Sequence, residues 1–235
     1  RIAEVYQLEC QKFAVSKWLV SLLQERYQSQ YVTYVPNAID HEEFFSERRK
    51  KPTRVTIGFV YSPEPIKGSE VALEALRLVQ KKYPSVQVVS YGFGRMPKHA
   101  KLLKCHRHVI LPSLSEIRTI YQRASCWLTS SRSEGFGLPG LEANACGCPL
   151  VSTSCGGPSD YLDDGVNGFM VPVDDPQAMA MAIGRVIDMS PDQWEQMSQA
   201  SVEIATSRSW QQAAACFEAG AYESLCRGIK AGDSV

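Results

Sequence analysis

Residues 54–91 read RVTIGFVYSPEPIKGSEVALEALRLVQKKYPSVQVVSY, and this stretch decides the fold class. Its first eight residues form an apolar run rich in β-branched side chains, which is typical of a buried strand. Residues 69–83 have helical periodicity, with Ser69 as the expected N-cap and Pro84 just beyond the end. Residues 86–91 repeat the strand pattern. The stretch therefore predicts a strand–helix–strand unit with parallel strands.

The same alternation continues toward the C-terminus. Strands are predicted at 108–111, 126–130, 150–153 and 168–173, and helices at 116–124, 139–146, 175–189, from 191 onward, and 210–225. Ser113 with Glu116 predicts a capping box, and Asp175 and Ser190 each precede a Pro at a helix start. Short buried strands separated by helices, without hairpin signals, predict an α/β fold with a doubly wound parallel (Rossmann-like) sheet. Ligands are then expected beyond the carboxyl ends of the strands.

The two ends of the chain are expected to lie outside this sheet. Residues 8–28 have apolar side chains at helical spacing and predict a helix, with a short strand before it as an alternative. Residues 31–35 predict a strand, and the polar residues 41–54 are the best candidate for a linker. On the last helix, Trp210 and Tyr222 are expected to pack in the core.

Composition and charge exclude several classes of function. The 235 residues carry 25 basic and 25 acidic side chains, so the net charge gives no reason to expect a nucleic-acid partner. Apolar runs stay below the ~18 residues that span a bilayer. The eight cysteines are irregularly spaced, which favours small buried side chains in a reducing compartment. We therefore expect a cytoplasmic protein, and the segment Cys105-His106-Arg107-His108 does not have zinc-ligand spacing.

The loop predicted after the strand at 126–130 carries the chemistry. Residues 130–142 read SSRSEGFGLPGLE. Gly135 and Gly137 allow positive φ and close approach of a ligand, and Pro139 favours the first turn of a helix. The unpaired N–H groups at that helix start are suited to bind an anion.

Two carboxylates, Glu134 and Glu142, flank this helix start. They would be poor phosphate ligands, but they suit hydroxyl groups on either side of a diphosphate, with a sugar on one and a ribose on the other. The alternative is that Glu134 caps backbone groups and that Glu142 faces solvent.

The spacing of Glu134 and Glu142 resembles the Glu-x7-Glu element of retaining glycosyltransferases with the GT-B fold. The string Ser-x-x-Glu-Gly-Phe-Gly-Leu-Pro-x-x-Glu-Ala is similar to the signature of family 4, glycosyl transferases group 1. Further resemblance lies in residues 36–40, 145–151, 156–157 and 164–168, so that it covers nearly all of residues 14–225. It implies the C-terminal, donor-binding half of a GT-B fold.

The resemblance also implies a domain division. Residues 1–45 would be a remnant of the N-terminal acceptor domain with the interdomain linker, residues 46–207 the nucleotide-sugar-binding domain, and residues 208–235 a crossing helix and tail. The acceptor would bind to the other half, which we expect to be absent from this chain. We therefore expect the chain alone to bind donor weakly and to transfer little.

Roles for individual residues follow from the same resemblance. Glu134 would contact donor-sugar hydroxyls and Glu142 the nucleotide ribose, while Lys67 would neutralise the diphosphate, so that Glu134 and Lys67 are the expected catalytic residues. The backbone of four residues would approach the sugar and diphosphate: Gly135, Phe136, Gly137 and Leu138. The loop at Leu111 and Pro112 would hold the base.

One position departs from the family pattern. The family commonly has Gly-Arg just after the first strand, and the Arg adds a second positive charge beside the diphosphate. Here Gly58 is followed by Phe59, which leaves Lys67 as the only cation of that loop. Our hypothesis is that Arg95 or Arg132 substitutes, because the loss of one positive contact to a developing diphosphate can cost ~3 kcal/mol.

The resemblance thus implies a retaining glycosyltransferase that uses a nucleotide-diphosphate sugar as donor substrate, without metal or other cofactor. Its acceptor would be a carbohydrate, a lipid-linked molecule or another compound. The basic stretch 95–108 is more simply a solvated helix face than a peripheral membrane contact, and both interpretations stay open. The alternative function is a non-catalytic nucleotide-binding or scaffolding domain. A phosphorylase would need a cofactor lysine, for which no motif is present.

Overall fold

The computed structural model describes residues 2–96 and 103–232. It divides into two compact units, one formed by residues 1–38 with 208–235 and the other by residues 39–207. Residues 39–45 therefore belong to the larger unit, whereas the sequence placed them with the N-terminal segment. The origin of that segment as part of an acceptor domain stays a prediction.

The elements of both units follow in chain order. The strands are β1 (Lys12–Ala14), β2 (Val32–Tyr34), β3 (Thr56–Val60), β4 (Gln87–Gly92), β5 (His106–Ile110), β6 (Cys126–Thr129), β7 (Leu150–Thr153) and β8 (Gly168–Val171). The helices are α1 (Ile2–Tyr6), α2 (Lys17–Ser21), α3 (Ser69–Lys82), α4 (Leu114–Arg123), α5 (Leu138–Ala145), α6 (Pro176–Asp188), α7 (Pro191–Thr206) and α8 (Trp210–Gly232).

The larger unit is built on a six-stranded sheet with the order β5-β4-β3-β6-β7-β8. Every neighbouring pair in this sheet is parallel. The prediction of a doubly wound parallel sheet is therefore confirmed. The strand order reverses between β3 and β6, and the crevice at such a reversal is where doubly wound sheets bind ligands.

Helix caps in this unit agree well with the sequence. Ser113 and Glu116 form both hydrogen bonds of a capping box, and so do Ser190 and Gln193. The carboxylate of Asp175 accepts a hydrogen bond from the first turn of α6. These contacts satisfy backbone N–H groups that a helix start leaves without partners, which explains why each helix begins where it does.

The N-cap of α3 differs from the prediction. Gly68 is the cap, with a φ of 57°, and Ser69 is the first residue of the helix. A Cβ on Gly68 would lie 2.1 Å from the carbonyl oxygen of Ser130, so the close approach of two loops requires glycine here. The hydroxyl of Ser69 instead exchanges hydrogen bonds with the backbone of Ser62.

The smaller unit contains a two-stranded parallel sheet of β1 and β2. Strand β1 lies inside the segment predicted as a helix, and the helical part is shorter: α2 continues only as a π-helical turn over Leu22–Arg26. Helix α8 packs by Gly220 against Thr33 of β2. The expectation that Trp210 and Tyr222 lie in the core is wrong, since they are 50% and 70% exposed.

Within the described residues, no helix combines the length and the hydropathy that crossing a bilayer requires.

Candidate functional site

Two loops meet where the strand order of the sheet reverses. One follows β3 and the other follows β6, and their backbones are joined directly. The hydroxyl of Ser130 donates to the carbonyl of Lys67 at 3.0 Å, and the N–H of Arg132 donates to the carbonyl of Ile66 at 2.8 Å. The two loops therefore form one connected wall of the crevice beyond the strand ends.

Lys67 and Glu134 pair across these two loops. The ammonium nitrogen of Lys67 lies 2.9 Å from Oε1 and 3.1 Å from Oε2 of Glu134. The hydroxyl of Ser131 donates to Oε1 at 2.6 Å. The side chain of Glu134 is 15% exposed and that of Lys67 is 39% exposed. Both predicted catalytic side chains thus occupy one place, at the mouth of the crevice.

The backbone of Glu134 is held as firmly as its carboxylate. Its N–H donates to the carbonyl of Cys155, and its carbonyl accepts from the N–H of Gly157. A Cβ on Gly157 would lie 2.3 Å from Cα of Phe136, so the loop after β7 packs directly on the loop after β6. The position of the carboxylate is therefore fixed from both sides.

Helix α5 begins immediately after this loop. Gly137 is its N-cap, with a φ of 88°, and Leu138 and Pro139 form the first turn. The first backbone N–H groups of a helix have no intrahelical acceptors, and they carry the positive end of the helix dipole. The start of α5 is therefore suited to an anion.

The side chain of Phe136 has an anchoring role. It is 4% exposed and packs on the ring of Tyr161, with 5.2 Å between the ring centroids. The hydroxyl of Tyr161 donates to the carbonyl of Gly137 at 2.5 Å. These contacts fix the turn from Gly135 to Leu138. Because the ring of Phe136 is buried, a ligand would contact this residue through its backbone.

Glu142 lies one turn into α5 and is half-buried, so it does not simply face solvent. The hydroxyl of Tyr121 donates to its Oε2 at 2.8 Å. Burial raises the pKa of Glu142 above its ordinary value, and the hydrogen bond from Tyr121 offsets part of that shift. The carboxylate is consequently partly desolvated and held on one side.

Leu111 and Pro112 follow β5 at the same edge of the sheet. Leu111 has a φ of 49° and is 63% exposed, and its N–H donates to the carbonyl of Gly92. Because β4 stands between β5 and β3, these residues lie two strand spacings, or ~10 Å, from the loop of Lys67. They share an edge with the other predicted residues but occupy its far end.

Arg132, one of the two candidates for a second cation, is paired with carboxylates of the protein. Its guanidinium lies 2.6 Å from Glu70 and 2.8 Å from Asp174, and it also donates to the carbonyl of Pro65. The hydrogen bonds that Arg132 donates to these carboxylates raise its pKa. Its charge is matched within the protein, so it braces the loop of Lys67. Arg95 lies exposed in the loop after β4.

Phe59 explains why no cation follows Gly58. It lies inside β3, is 1% exposed and belongs to the hydrophobic core. The Phe59 side chain therefore serves the core and is not exposed to a ligand. The first residues beyond the strand are Tyr61 and Ser62.

The histidines near Cys105 belong to a hydrogen-bonded group. Ser90 Oγ lies 2.8 Å from Nε2 of His106 and 2.9 Å from Nδ1 of His108. Among the described residues, no cluster of three His, Cys, Asp or Glu side chains is placed to hold a metal. Part of the basic stretch 95–108, residues 97–102, lies outside the described residues.

Sequence reasoning missed two supporting residues of this site, Ser131 and Tyr121, and it expected Arg132 to act as a second cation. Ser131 supports Glu134, Arg132 braces the loop of Lys67, and Tyr121 holds Glu142. Ser131 and Arg132 belong to the quoted motif and could have been considered as supports. Tyr121 gave no signal, because its apolar helix face predicts a core residue and its partner lies on another helix.

The sequence of the chain is similar to those of known proteins. A sequence profile described as "Glycosyl transferases group 1" matches residues 51–189. The D-inositol 3-phosphate glycosyltransferase of Corynebacterium jeikeium is 30% identical over 172 residues, which are 67% of this chain and 41% of that protein. That of Streptomyces griseus is 40% identical over 94 residues, which are 40% of this chain and 20% of that protein. The first of these matches thus spans only about two fifths of the relative.

Solved structures show the same fold. The C-terminal domain of the group 1 family glycosyl transferase LpcC from Francisella tularensis superposes with a TM-score of 0.62 at 24% identity, covering 73% of this chain and 98% of that one. The pneumococcal O-GlcNAc transferase GtfA, solved with UDP and GlcNAc, superposes with a TM-score of 0.75 at 22% identity, covering 91% and 45%. The sheet is thus that of the GT-B glycosyltransferases, and the chain belongs to the glycosyl transferases group 1 family.

Proposed function

We propose that the protein is a glycosyltransferase and that residues 39–207 bind its donor, a nucleoside-diphosphate sugar. The observation that carries the proposal is the pairing of Lys67 with Glu134 beside the start of α5. It puts a cation for the diphosphate and a carboxylate for sugar hydroxyls at one place. The family supports the same assignment.

The two charges suit opposite parts of the donor. Lys67 and the N–H groups at the start of α5 would receive the diphosphate, whose negative charge grows as the sugar–phosphate bond breaks. Glu134 would accept hydrogen bonds from the sugar and favour the positive charge that develops at its ring. We further propose that transfer retains the anomeric configuration and requires no metal or other cofactor.

The order of the strands supports one proposed orientation of the donor along the sheet edge. The ribose would lie at Glu142 and the base near Leu111 and Pro112, toward the β5 edge of the sheet. The diphosphate and sugar would lie at the switch point between β3 and β6. The acceptor would approach the sugar from outside these residues, as a carbohydrate, a lipid-linked molecule or another compound.

A screen of nucleotides tests donor binding. The chain is heated with UDP, GDP, ADP and dTDP and with their sugars, and the melting temperature is measured. A ligand that binds only the folded state at 100 times its dissociation constant stabilises it by about 2.7 kcal/mol, so the cognate nucleotide should raise the melting temperature clearly. If none of these nucleotides shifts it, the donor site is contradicted.

A non-catalytic nucleotide-binding domain is the second candidate. It is favoured by the ion pairs of Arg132, which leave Lys67 as the cation that faces Glu134 in this part of the crevice. The decisive measurement is transfer by the full-length protein from the donor that the screen identifies, with a panel of acceptors. Binding of nucleotide without transfer or donor hydrolysis by that protein would favour this candidate.

A further inference from the structure

Three side chains from three elements form one hydrogen-bonded chain behind the crevice. Tyr91 stands at the end of β4, Tyr121 in α4 and Glu142 in α5. The hydroxyl oxygens of the tyrosines are 2.6 Å apart, and that of Tyr121 is 2.8 Å from Oε2 of Glu142. Each phenol has one hydrogen to donate. With an ionised carboxylate, the chain runs one way, from Tyr91 to Tyr121 to Glu142.

The rings of both phenols are closely packed. Tyr121 is fully buried and meets the ring of Trp127 edge-on, with 4.6 Å between centroids. Tyr91 is 8% exposed and stacks on the same indole at 5.6 Å. Burial raises the pKa of both tyrosines, so both stay protonated donors in the folded protein.

The carboxylate of Glu142 is used on one side only. Oε2 accepts from Tyr121, whereas Oε1 accepts no hydrogen bond from any described residue. Glu134 differs, because both of its oxygens are engaged by Lys67. Oε1 of Glu142 is not among the fully buried side-chain atoms that lack a partner, so it remains accessible, and a pair of ligand hydroxyls would replace water as its donors.

We propose that Tyr121 is a positioning residue, whose hydroxyl fixes Glu142 so that Oε1 receives the ribose hydroxyls of the bound nucleoside diphosphate. The proposal rests on the proposed function of the site. Tyr91 acts one step further back, by directing the hydrogen of Tyr121 toward the carboxylate. Helix α4 thereby contributes to nucleotide recognition through α5, without touching the nucleotide.

The variant Tyr121→Phe tests this directly, because it removes the hydroxyl and keeps the ring. Its dissociation constants for UDP and for 2′,3′-dideoxy-UDP are measured by calorimetry beside those of the unchanged protein. We expect UDP to bind about tenfold more weakly, the equivalent of about 1.4 kcal/mol, and dideoxy-UDP to bind as before. The matched control is Tyr83→Phe, which removes another tyrosine–carboxylate contact, the 2.7 Å bond to Asp188, far from the crevice. The control should change neither constant.

Equal weakening of both nucleotides by Tyr121→Phe would show a general structural effect and overturn the proposal, as would no weakening at all. The double variant with Glu142→Gln adds a second readout. If Tyr121 acts through Glu142, the phenylalanine substitution should weaken UDP binding no further once the carboxylate is gone, and additive losses would contradict this.

The outcome also shows whether this inference alone fails or whether the proposed function fails as well. If the unchanged protein binds GDP or ADP in place of UDP, the same comparison is made with that nucleotide and its dideoxy form. If it binds none of them, the proposed function itself fails, and the inference fails with it. If it binds a nucleotide and its dideoxy form equally, nucleotide binding stands and the ribose contact is contradicted.

Discussion

The ammonium group of Lys67 contacts both carboxylate oxygens of Glu134, at 2.9 and 3.1 Å. The pair joins the loop after β3 to the loop after β6, across the point where the strand order reverses. A donor that takes Lys67 with its diphosphate and Glu134 with its sugar has to replace this ion pair with two new contacts. Each residue can therefore be tested by comparing ligands that contain and that lack the part of the donor it would contact.

Replacing Lys67 should weaken the binding of only those ligands that carry a diphosphate. In Lys67→Met the charge is lost and the aliphatic chain is kept, so we expect UDP to bind at least about tenfold more weakly and uridine to bind as before. Calorimetry with the two ligands measures this. Lys82→Met is the control, because Lys82 is an exposed lysine of α3 that lies 3.7 Å from Asp188. Equal losses for uridine and UDP would refute a phosphate contact.

Replacing Glu134 should reduce the contribution of the donor sugar to binding. In Glu134→Gln the hydroxyls of the sugar lose a charged acceptor, while Lys67 becomes free to face the diphosphate. We expect the nucleoside diphosphate to bind as tightly as before or more tightly, and the corresponding sugar nucleotide to lose its advantage over it. Competition binding with both ligands gives the ratio of affinities. Glu74→Gln, at an exposed ion pair with Arg77, should leave the ratio unchanged. An unchanged ratio in Glu134→Gln would place the sugar elsewhere.

The pH dependence of protein stability should reveal the unfavourable free energy of burying the charged form of Glu142. Burial raises the pKa of Glu142 in the folded protein. A carboxyl group with a raised pKa favours folding while it is protonated, and this contribution is lost as the pH rises from the ordinary value of ~4.5 through the raised one. We therefore expect Glu142→Gln to melt above the unchanged protein at pH 7.

Below about pH 4.5 this advantage of the glutamine variant should disappear, because both side chains are then neutral. Melting curves across this pH range measure the difference. Glu116→Gln is the informative contrast, since hydrogen bonds from Ser113 lower the pKa of Glu116 and its removal should destabilise the protein at neutral pH. A Glu142→Gln protein that melts lower than the unchanged protein at pH 7 would contradict the desolvation of Glu142.

Local rules were sufficient to predict most of the fold. Strand β7 has the bounds that its apolar run gave, the capping box at Ser113 formed as its spacing indicated, and Pro191 begins a helix after Ser190 as predicted. Gly68 and not Ser69 is the cap of α3, because Ser130, in the loop after the distant strand β6, closely approaches this position. Such a contact depends on the strand order, which no local pattern encodes.

The site was predictable only in part, for the same reason. Lys67 and Glu134 were identified from motifs within their own loops and from the family resemblance. Tyr121 and Glu142 lie on different helices, and their contact follows from how α4 and α5 pack on the sheet. Phe59 raised the question of a missing cation, whereas its burial shows that this position serves the core.

Arg49 should stabilise the larger unit through backbone carbonyls. Its guanidinium donates to the carbonyls of Gly147 at 2.9 Å and Ala124 at 2.8 Å, and it lies 5.1 Å from the ring centroid of Trp194. Arg49→Met removes two hydrogen bonds from a charged donor, so that Gly147 keeps only the hydroxyl of Ser198 and Ala124 only the weak thiol contact of Cys148. Loss of these bonds should lower the free energy of unfolding by about 2–3 kcal/mol.

Urea denaturation followed by tryptophan fluorescence measures this loss. The neighbouring Arg48 is a matched control, because its side chain is 82% exposed and lies 4.0 Å from Glu195. Exposed ion pairs contribute at most about 1 kcal/mol, so Arg48→Met should stay close to the unchanged protein. If the two variants lose the same free energy, Arg49 does not anchor residues 39–54 to the sheet, and another contact must hold this segment on the larger unit.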